Sequence, residues 1–441
     1  MFVDRIVSLG RMLLVVGVLL PPLAARADEV LFRMQGSNTI GANLGPALVE
    51  RWLRDELKAV DLRIRVTAEN EKRVSGRLPD GRRVAVDVAA HGSSTAFRGL
   101  ASGEADIGMA SRPIKDAEIA RLRRIGDFAS PMAEWVIALD GIAVIVHPDN
   151  PLAGLDLATL ADVFSGQIRN WRALGGRPGP IHVYARDDKS GTWDTFRHLV
   201  LGKRRPLIAS ARRFESNAKL SDAVARDPNA IGFVGLPYVR RSRALPVAAG
   251  RARARLPTRF NVETESYALT RRLYLYASPD LGNAAARDFL DYAISVAGQV
   301  VAAGAGFVAQ TVRPLTVAVP DACPDAFREL VAGARRLSVD FRFRREGLEL
   351  DSRALRDLDR VADYLRRNRH VRKVMLFGFS EDSRLPMHNL ALSEDRADAV
   401  ERALRERGVT VHHVRGFGAC NLVADTRDLG RNRRVEVWIQ P

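Results

Sequence analysis

Short apolar runs alternate with helix-spaced apolar stripes along the first two thirds of the chain, and the junctions between them share one composition. Val30-Leu31-Phe32-Arg33-Met34 reads as a strand and Gly36-Ser37-Asn38-Thr39-Ile40-Gly41 as a turn. Leu44, Leu48, Trp52 and Leu57 mark the helix that follows. Val84–Ala90, His91-Gly92-Ser93-Ser94-Thr95 and Ala96–Ser102 repeat the sequence of strand, turn and helix. A third strand end is Ala105-Asp106-Ile107-Gly108-Met109-Ala110-Ser111-Arg112-Pro113. In the fourth, Ile181-His182-Val183-Tyr184 feeds Arg186-Asp187-Asp188-Lys189-Ser190-Gly191-Thr192, ahead of a helical run from Trp193 to Leu201.

Such a junction points free backbone N–H groups and the positive end of a helix dipole at whatever sits in the turn. Ser190 and Thr192 add hydroxyls, Gly191 permits close backbone approach, and Arg186 offers a bidentate fork. One such turn is an ordinary helix start. Four of them predict an α/β fold whose ligand, a small oxyanion, sits at the carboxyl ends of strands.

From Leu337 the texture changes. Val339-Asp340-Phe341-Arg342-Phe343 alternates as a strand should, and Asp351–Leu365 carries Leu355, Leu358, Val361, Ala362 and Leu365 at helix spacing, capped by Asp351 or Ser352. Val374–Phe379 is a second strand, and a second helix is expected to start at Ser393, with the hydroxyl as cap and Gly408 as its end. Val411–Arg415 and Val435–Ile439 complete a small α+β layer of about four strands.

Length and charge narrow the setting. At 441 residues the chain calls for about two or three domains. Residues 1–27 read as a secretory signal: Arg5 and Arg11 precede an apolar core at Met12–Leu20, and Ala25-Arg26-Ala27 offers a cleavage site before Asp28. The net charge is +16, mostly arginine, but acids intermingle with it throughout and no nucleic-acid motif accompanies it, so no nucleic-acid partner is expected. No His, Cys or acid cluster has metal spacing, no cofactor is implied, and no acid/base pair marks an enzyme. Ser216-Asn217-Ala218-Lys219 imitates a serine-enzyme motif, but its order relative to Lys189-Ser190-Gly191 is wrong and it reads as a helix cap with a surface lysine.

Taken as an ordered set, Gly36–Gly41, Gly92–Leu100, Ala105–Pro113, Val144–Asn150, Ala161–Trp171, the Arg186 stretch and Ala230–Phe233 resemble the periplasmic phosphate-binding proteins of ABC importers, over about residues 29–315. The resemblance implies a two-lobed type II binding protein that closes by hinge motion; Tyr274–Tyr276 reads as a strand returning to the first lobe, and Asn283–Ser295 as a helix with Ala285, Phe289, Leu290 and Ala293 on one face. It implies phosphate or oxyanion contacts from Thr39 with Ile40 beside it, from Ser93 or Ser94, and from Arg186, Ser190, Gly191 and Thr192, with Asp188 orienting Arg186. Ser111 stands where the family often has a proton-accepting Asp that helps reject fully ionised anions.

Over residues 337–441, Gly378, Asn389, Leu392-Ser393, Arg396-Ala397, Gly408-Val409 and Asn432-Arg433-Arg434-Val435-Glu436 resemble the OmpA-like peptidoglycan-binding domain. That family grips the diaminopimelate of the stem peptide with an Asp and an Arg. The Arg falls on Arg396, expected in the first turn of its helix; the acid falls on Glu381, with Asp382 next to it, and Arg433 is expected near the ligand. Cys323 and Cys420 flank this module, and an exported setting favours a disulfide between them.

The expected organisation is therefore a signal at 1–27, a two-lobed binding domain at 28–318, a linker at 319–336 and an OmpA-like domain at 337–441. The expected function is capture of phosphate or a similar oxyanion by a wall-tethered protein in the periplasm of a Gram-negative bacterium, close to the outer membrane and serving an ABC permease. The alternative is a wall-bound sensor or scaffold whose anion site is repurposed or inactive.

Overall fold

A computed structural model describes residues 28–188, 190–319, 323–344, 347–383, 385–425 and 429–441; the expected signal, Lys189 and Arg384 lie outside the described residues. One sheet runs through the binding domain. Its strands lie in the order Val60–Ala68, Glu71–Arg77, Arg83–Ala89, Glu29–Gly36, Ile107–Ala110, Thr270–Tyr276, Glu134–Val146, Ala230–Gly235, His182–Arg186 and Arg212–Phe214. Glu29–Gly36 is parallel to both Arg83–Ala89 and Ile107–Ala110, the pairing that helix crossovers produce.

Two lobes arise because a single strand serves two cores. In Glu134–Val146, Trp135, Ile137 and Ala138 pack with Phe32, Trp52 and Phe289. From Leu139 onward, Ile142, Val144 and Val146 pack instead with Phe164, Phe196 and Phe233. The chain returns at Tyr267–Leu269, still in the second core, before Leu273 and Leu275 rejoin the first. These two crossovers are where lobe motion would be absorbed.

Several element starts differ from the sequence expectation, each for a local reason. Ile40–Leu44 forms a wide helical turn, so the first turn of the chain is already helical at Thr39 and runs into Gly45–Asp55. The second junction's helix is Ser93–Ser102, beginning at the serines rather than at Ala96. In the C-terminal domain the second helix is Pro386–Arg405, starting on a proline whose missing N–H costs nothing at a helix N-terminus. Ser393 is therefore not a cap. It sits buried in mid-helix, its hydroxyl donating to the Leu390 carbonyl and accepting from the Gly418 N–H. The hairpin Val60–Ala68 and Glu71–Arg77 was not anticipated; its outer strand is exposed on both faces, and Arg63 and Arg65 guard that edge.

The C-terminal domain is a sheet ordered Pro314–Leu315, Arg335–Arg342, Arg434–Gln440, Lys373–Phe379 and His413–Gly416, covered by helices Ser352–Arg367 and Pro386–Arg405. Gly378 lets the second helix lie on the sheet: a Cβ there would stand 1.9 Å from the Ser393 carbonyl oxygen. Within the stretch expected as linker lies the helix Asp325–Leu330. Its Phe327 packs edge-on against Phe377, Phe379, Phe417 and Trp438, beside a Cys323–Cys420 disulfide. Ser216 caps Asn217–Val224, as its sequence suggested.

The two domains meet at the second crossover. Arg431 Nη1 donates to the carbonyls of Tyr267 (2.7 Å) and Ala268 (3.1 Å), and Nη2 to that of Thr270 (3.1 Å). Arg342 reaches the Thr264 carbonyl at 2.6 Å and Arg353 that of Glu263 at 2.8 Å. Glu265 lies buried among Arg272 of its own domain (3.0 Å) and Arg342 (3.0 Å) and Arg353 (3.1 Å) of the other. Burial alone would raise the Glu265 carboxyl, but these three guanidinium groups overcome it and hold the group well below the usual carboxylate range.

Candidate functional site

Between the lobes lies a cavity of about 1050 Å³ that extends to the C-terminal domain. The first lobe contributes Ser93 and Ser94, placed by the turn that ends the strand Arg83–Ala89 and starts the helix Ser93–Ser102, together with Ser111 beyond the strand Ile107–Ala110. The Ser93 hydroxyl oxygen accepts from the Ser111 N–H at 3.0 Å and lies 3.3 Å from the Ser111 hydroxyl. Two strand ends separated by 18 residues are thus joined at their hydroxyls.

The second lobe brings the Arg186 stretch to the opposite side. Ser190 caps the helix Gly191–Phe196 by accepting from the Trp193 N–H at 3.4 Å. Gly191 packs directly on Thr39 of the first lobe: a Cβ on Gly191 would stand 2.0 Å from the Thr39 hydroxyl oxygen, so only glycine allows this approach. Thr39 accepts at the same time from Arg271 Nη2 at 3.0 Å, and Arg271 is held by Asp140 at 2.8 Å. The lobes therefore touch at Thr39 and Gly191, with buried Ile40 behind them. Thr39, Ile40, Arg186, Ser190, Gly191 and Thr192 lie outside the lining of the cavity that Ser93, Ser94 and Ser111 share.

Arg186 is 9% exposed, and its Nε and Nη2 donate to the carbonyls of Phe214 (3.1 Å) and Glu215 (2.6 Å). Burial lowers its pKa, partly countered by Asp187, whose carboxylate stands 3.8 Å away. The acid expected to orient Arg186 is therefore not the one beside it. Asp188 points into solvent and pairs with Arg213 at 3.0 Å, because the turn after His182–Arg186 leaves Asp187, one residue earlier, on the arginine's side.

Several lining residues escaped the sequence reading, Arg271 and Asp194 among them. Arg271 lies in the strand Thr270–Tyr276, where Thr270-Arg271-Arg272 gives no hint of a site. Asp194 follows the serine–glycine–threonine run; it is accessible from the cavity, yet the surrounding shell raises its pKa against the pull of Arg197 and Arg271. Its place in the helix Gly191–Phe196, directly after Trp193, was the available signal.

In the C-terminal domain three of the four expected residues come together. Glu381 stands 3.6 Å from Arg396 and 3.3 Å from Arg433. Arg396 is fully buried with its guanidinium 5.6 Å over the Phe343 ring. It sits in the middle of Pro386–Arg405, so the expected first-turn N–H groups are not beside it; the earlier helix start moves them two turns away. Asp382 lies exposed on the loop. Arg434, the other arginine of the pair, is buried and bound to Glu436 at 2.8 Å.

Fold and cleft together define a two-lobed binding protein carrying a second, separate domain. Residues 79–297 match the PBP superfamily domain, and residues 342–436 match the OmpA family. The chain is 32% identical over 248 residues to Protein SphX of Synechococcus elongatus, covering 53% of this chain and 71% of that one. It is 28% identical over 239 residues to the Phosphate-binding protein PstS of Staphylococcus saprophyticus, covering 52% and 73%. A possible phosphate binding protein from Planctomyces limnophilus shares the fold, with a TM-score of 0.51, 20% identity and coverage of 69% of this chain and 96% of that one. The chain belongs to the family of SphX, with its residues 79–297 matching the PBP superfamily domain and an OmpA family domain after them. Both are domains of extracytoplasmic, envelope-associated proteins. Among the described residues, no helix is long and apolar enough to cross a membrane.

Proposed function

We propose that the protein captures phosphate or a similar oxyanion between its lobes while its OmpA-like domain holds it to the cell wall. The observation that carries this reading is the meeting of the lobes where Thr39, bound to Arg271, touches the Ser190–Thr192 helix start, beside the cavity that Arg271 lines together with the Ser93 and Ser111 hydroxyls. The work is binding, not turnover. Hydroxyls, N–H groups and the Arg186 fork replace the water around the anion, and Ser94 and Ile40 complete the turns. Membership with SphX and with a relative named for phosphate binding points to the same ligand.

The wall contact is assigned to Arg396, Glu381 and Arg433, with Asp382 at the rim, gripping the diaminopimelate end of a stem peptide. The protein works in the periplasm of a Gram-negative bacterium, near the outer membrane, with an ABC permease as recipient. The contact of Gly191 with Thr39 and the engagement of Arg186 by backbone carbonyls favour one second reading, a wall-bound sensor or scaffold whose anion site is shut.

Calorimetric titration of residues 28–441 with phosphate and then sulfate separates the two. Tight phosphate binding, lost in Arg186→Ala while sacculus pull-down persists, is the expected result, with Arg396→Ala doing the reverse. No heat with either anion removes the capture reading. Unchanged sacculus binding by Arg396→Ala removes the wall assignment at its central residue.

A further inference from the structure

The cavity is larger than one orthophosphate needs and more positive than one could neutralise. Its volume of about 1050 Å³ stands at the upper end of pockets that enclose drug-sized ligands. Some lining cations are already matched: Arg112 by Glu118, Arg205 by Asp162, Arg271 by Asp140, and Arg272 by Glu265 and Asp351. Four are not. Lys115 of the first lobe and Arg197, Lys203 and Arg204 of the second line the cavity, and none has a carboxylate within 4.0 Å among the described residues.

These unmatched charges face one another across the cleft. His198 of the second lobe is pushed toward its neutral form, first by the shell around it and then by Lys115 and Arg112 of the first lobe and Lys203 of its own. Like charges brought together by lobe closure repel unless an anion lies between them. An anion with several charged groups, distributed along the cleft, meets that need better than one compact group. The walls offer little to an organic substituent. Of the lining rings, Tyr274 and Phe343 are 5% and 6% exposed and present no open face on which a base could stack, which leaves only the exposed His198, set among the cations Arg112, Lys115 and Lys203.

We propose that the cleft takes a condensed inorganic phosphate of about tripolyphosphate size, with one end on the Ser93 and Ser111 hydroxyls and its further phosphoryl groups on Lys115, Arg197, Lys203 and Arg204. This rests on the oxyanion reading above and extends it to a ligand class. The extra phosphoryl groups would also cross from one lobe to the other and so favour closure over them.

The test is calorimetry on residues 28–441 with orthophosphate, tripolyphosphate and adenosine triphosphate at one fixed ionic strength, on the natural sequence and on a Lys115→Ala/Lys203→Ala double variant. Both lysines are exposed, and a thermal melt confirms that the variant is folded. Tripolyphosphate is expected to bind at least about tenfold more tightly than orthophosphate. The double variant is expected to lose about five- to tenfold in tripolyphosphate affinity and to keep orthophosphate affinity within about twofold. Orthophosphate binding with no tighter binding of tripolyphosphate overturns the inference and leaves the capture reading standing. An equal loss for both anions, or no loss for either, overturns it too, since the lysines would then not form a separate subsite. Adenosine triphosphate binding more tightly than tripolyphosphate overturns the inorganic assignment. Failure of every anion to bind overturns this inference and the capture reading together.

Discussion

Cations gather in two places about the hinge, and the gatherings differ in their counter-charge. At the domain junction Arg272, Arg342 and Arg353 converge on Glu265, and farther into the C-terminal domain Arg336 and Arg434 pair with Asp340 and Glu436. At the mouth of the cleft Lys115, Arg197, Lys203 and Arg204 stand exposed, with no carboxylate within 4.0 Å among the described residues. Desolvation explains the difference: a buried charge must be paired, whereas one in water need not be. The cations behind the net charge of +16 therefore divide by use. Paired arginines join the domains, and unpaired cations leave the cleft positive.

The comparison breaks first at Glu265. Glu265→Gln keeps the shape but leaves three guanidinium groups converging without the carboxylate that offsets them. A loss of about 3–5 kcal/mol in unfolding free energy is expected, read from urea melts of residues 28–441. Lys203→Ala, made at the unpaired set, is expected to change thermal stability little. Comparable effects of the two variants would mean that pairing at the junction contributes nothing special.

Acid sharpens the same contrast more gently. Glu265 has a folded pKa below its ordinary 4.5, so its stabilisation is complete above that value and is lost as pH falls toward the folded one. The stability gap between the natural sequence and Glu265→Gln should narrow by about 1 kcal/mol between pH 7 and pH 4. Other carboxylates titrate in both proteins and cancel in the difference. A gap that stays constant would show that the charge of Glu265 is not what holds the junction.

How much of this was legible depended on the range of the signal. Strand-end turns such as Gly92–Thr95 and Ser190–Thr192 announce themselves locally, through small polar residues after an apolar run, and the structure places them on facing lobes. The helix expected over Asn283–Ser295 was equally plain; it runs over Ala284–Ile294, with Asn283 as its cap. Arg271 was not, because its role depends on Asp140 and Thr39, residues 131 and 232 positions away. Charge composition was silent in the same manner: intermingled Arg and Asp carry no mark of burial along the chain, yet Arg353 and Asp357 are buried together. Ser393 was misplaced because the first turn at Pro386–Leu390 inverts the usual pattern, with Met387 and Leu390 exposed and Asn389 buried, so no core-facing apolar stripe reveals the helix there.

Asp188 gives the smallest expected effect and the finest test of the contrast between buried and exposed pairs. Its side chain is 79% exposed and that of its partner Arg213 is 34% exposed, so solvent screens the pair and side-chain entropy opposes it. Asp188→Ala should alter unfolding free energy by no more than about 0.5 kcal/mol. Asp187, beside the buried Arg186, is differently placed: Asp187→Asn removes the nearby charge that counters burial of the guanidinium. If Arg186 contributes to anion capture, Asp187→Asn should disturb phosphate affinity while Asp188→Ala leaves it within about twofold. The opposite order would mean that anion binding turns the Arg186 turn by one residue and brings Asp188 to the arginine. The touching lobes at Thr39 and Gly191 would then be a state that opens before the anion enters.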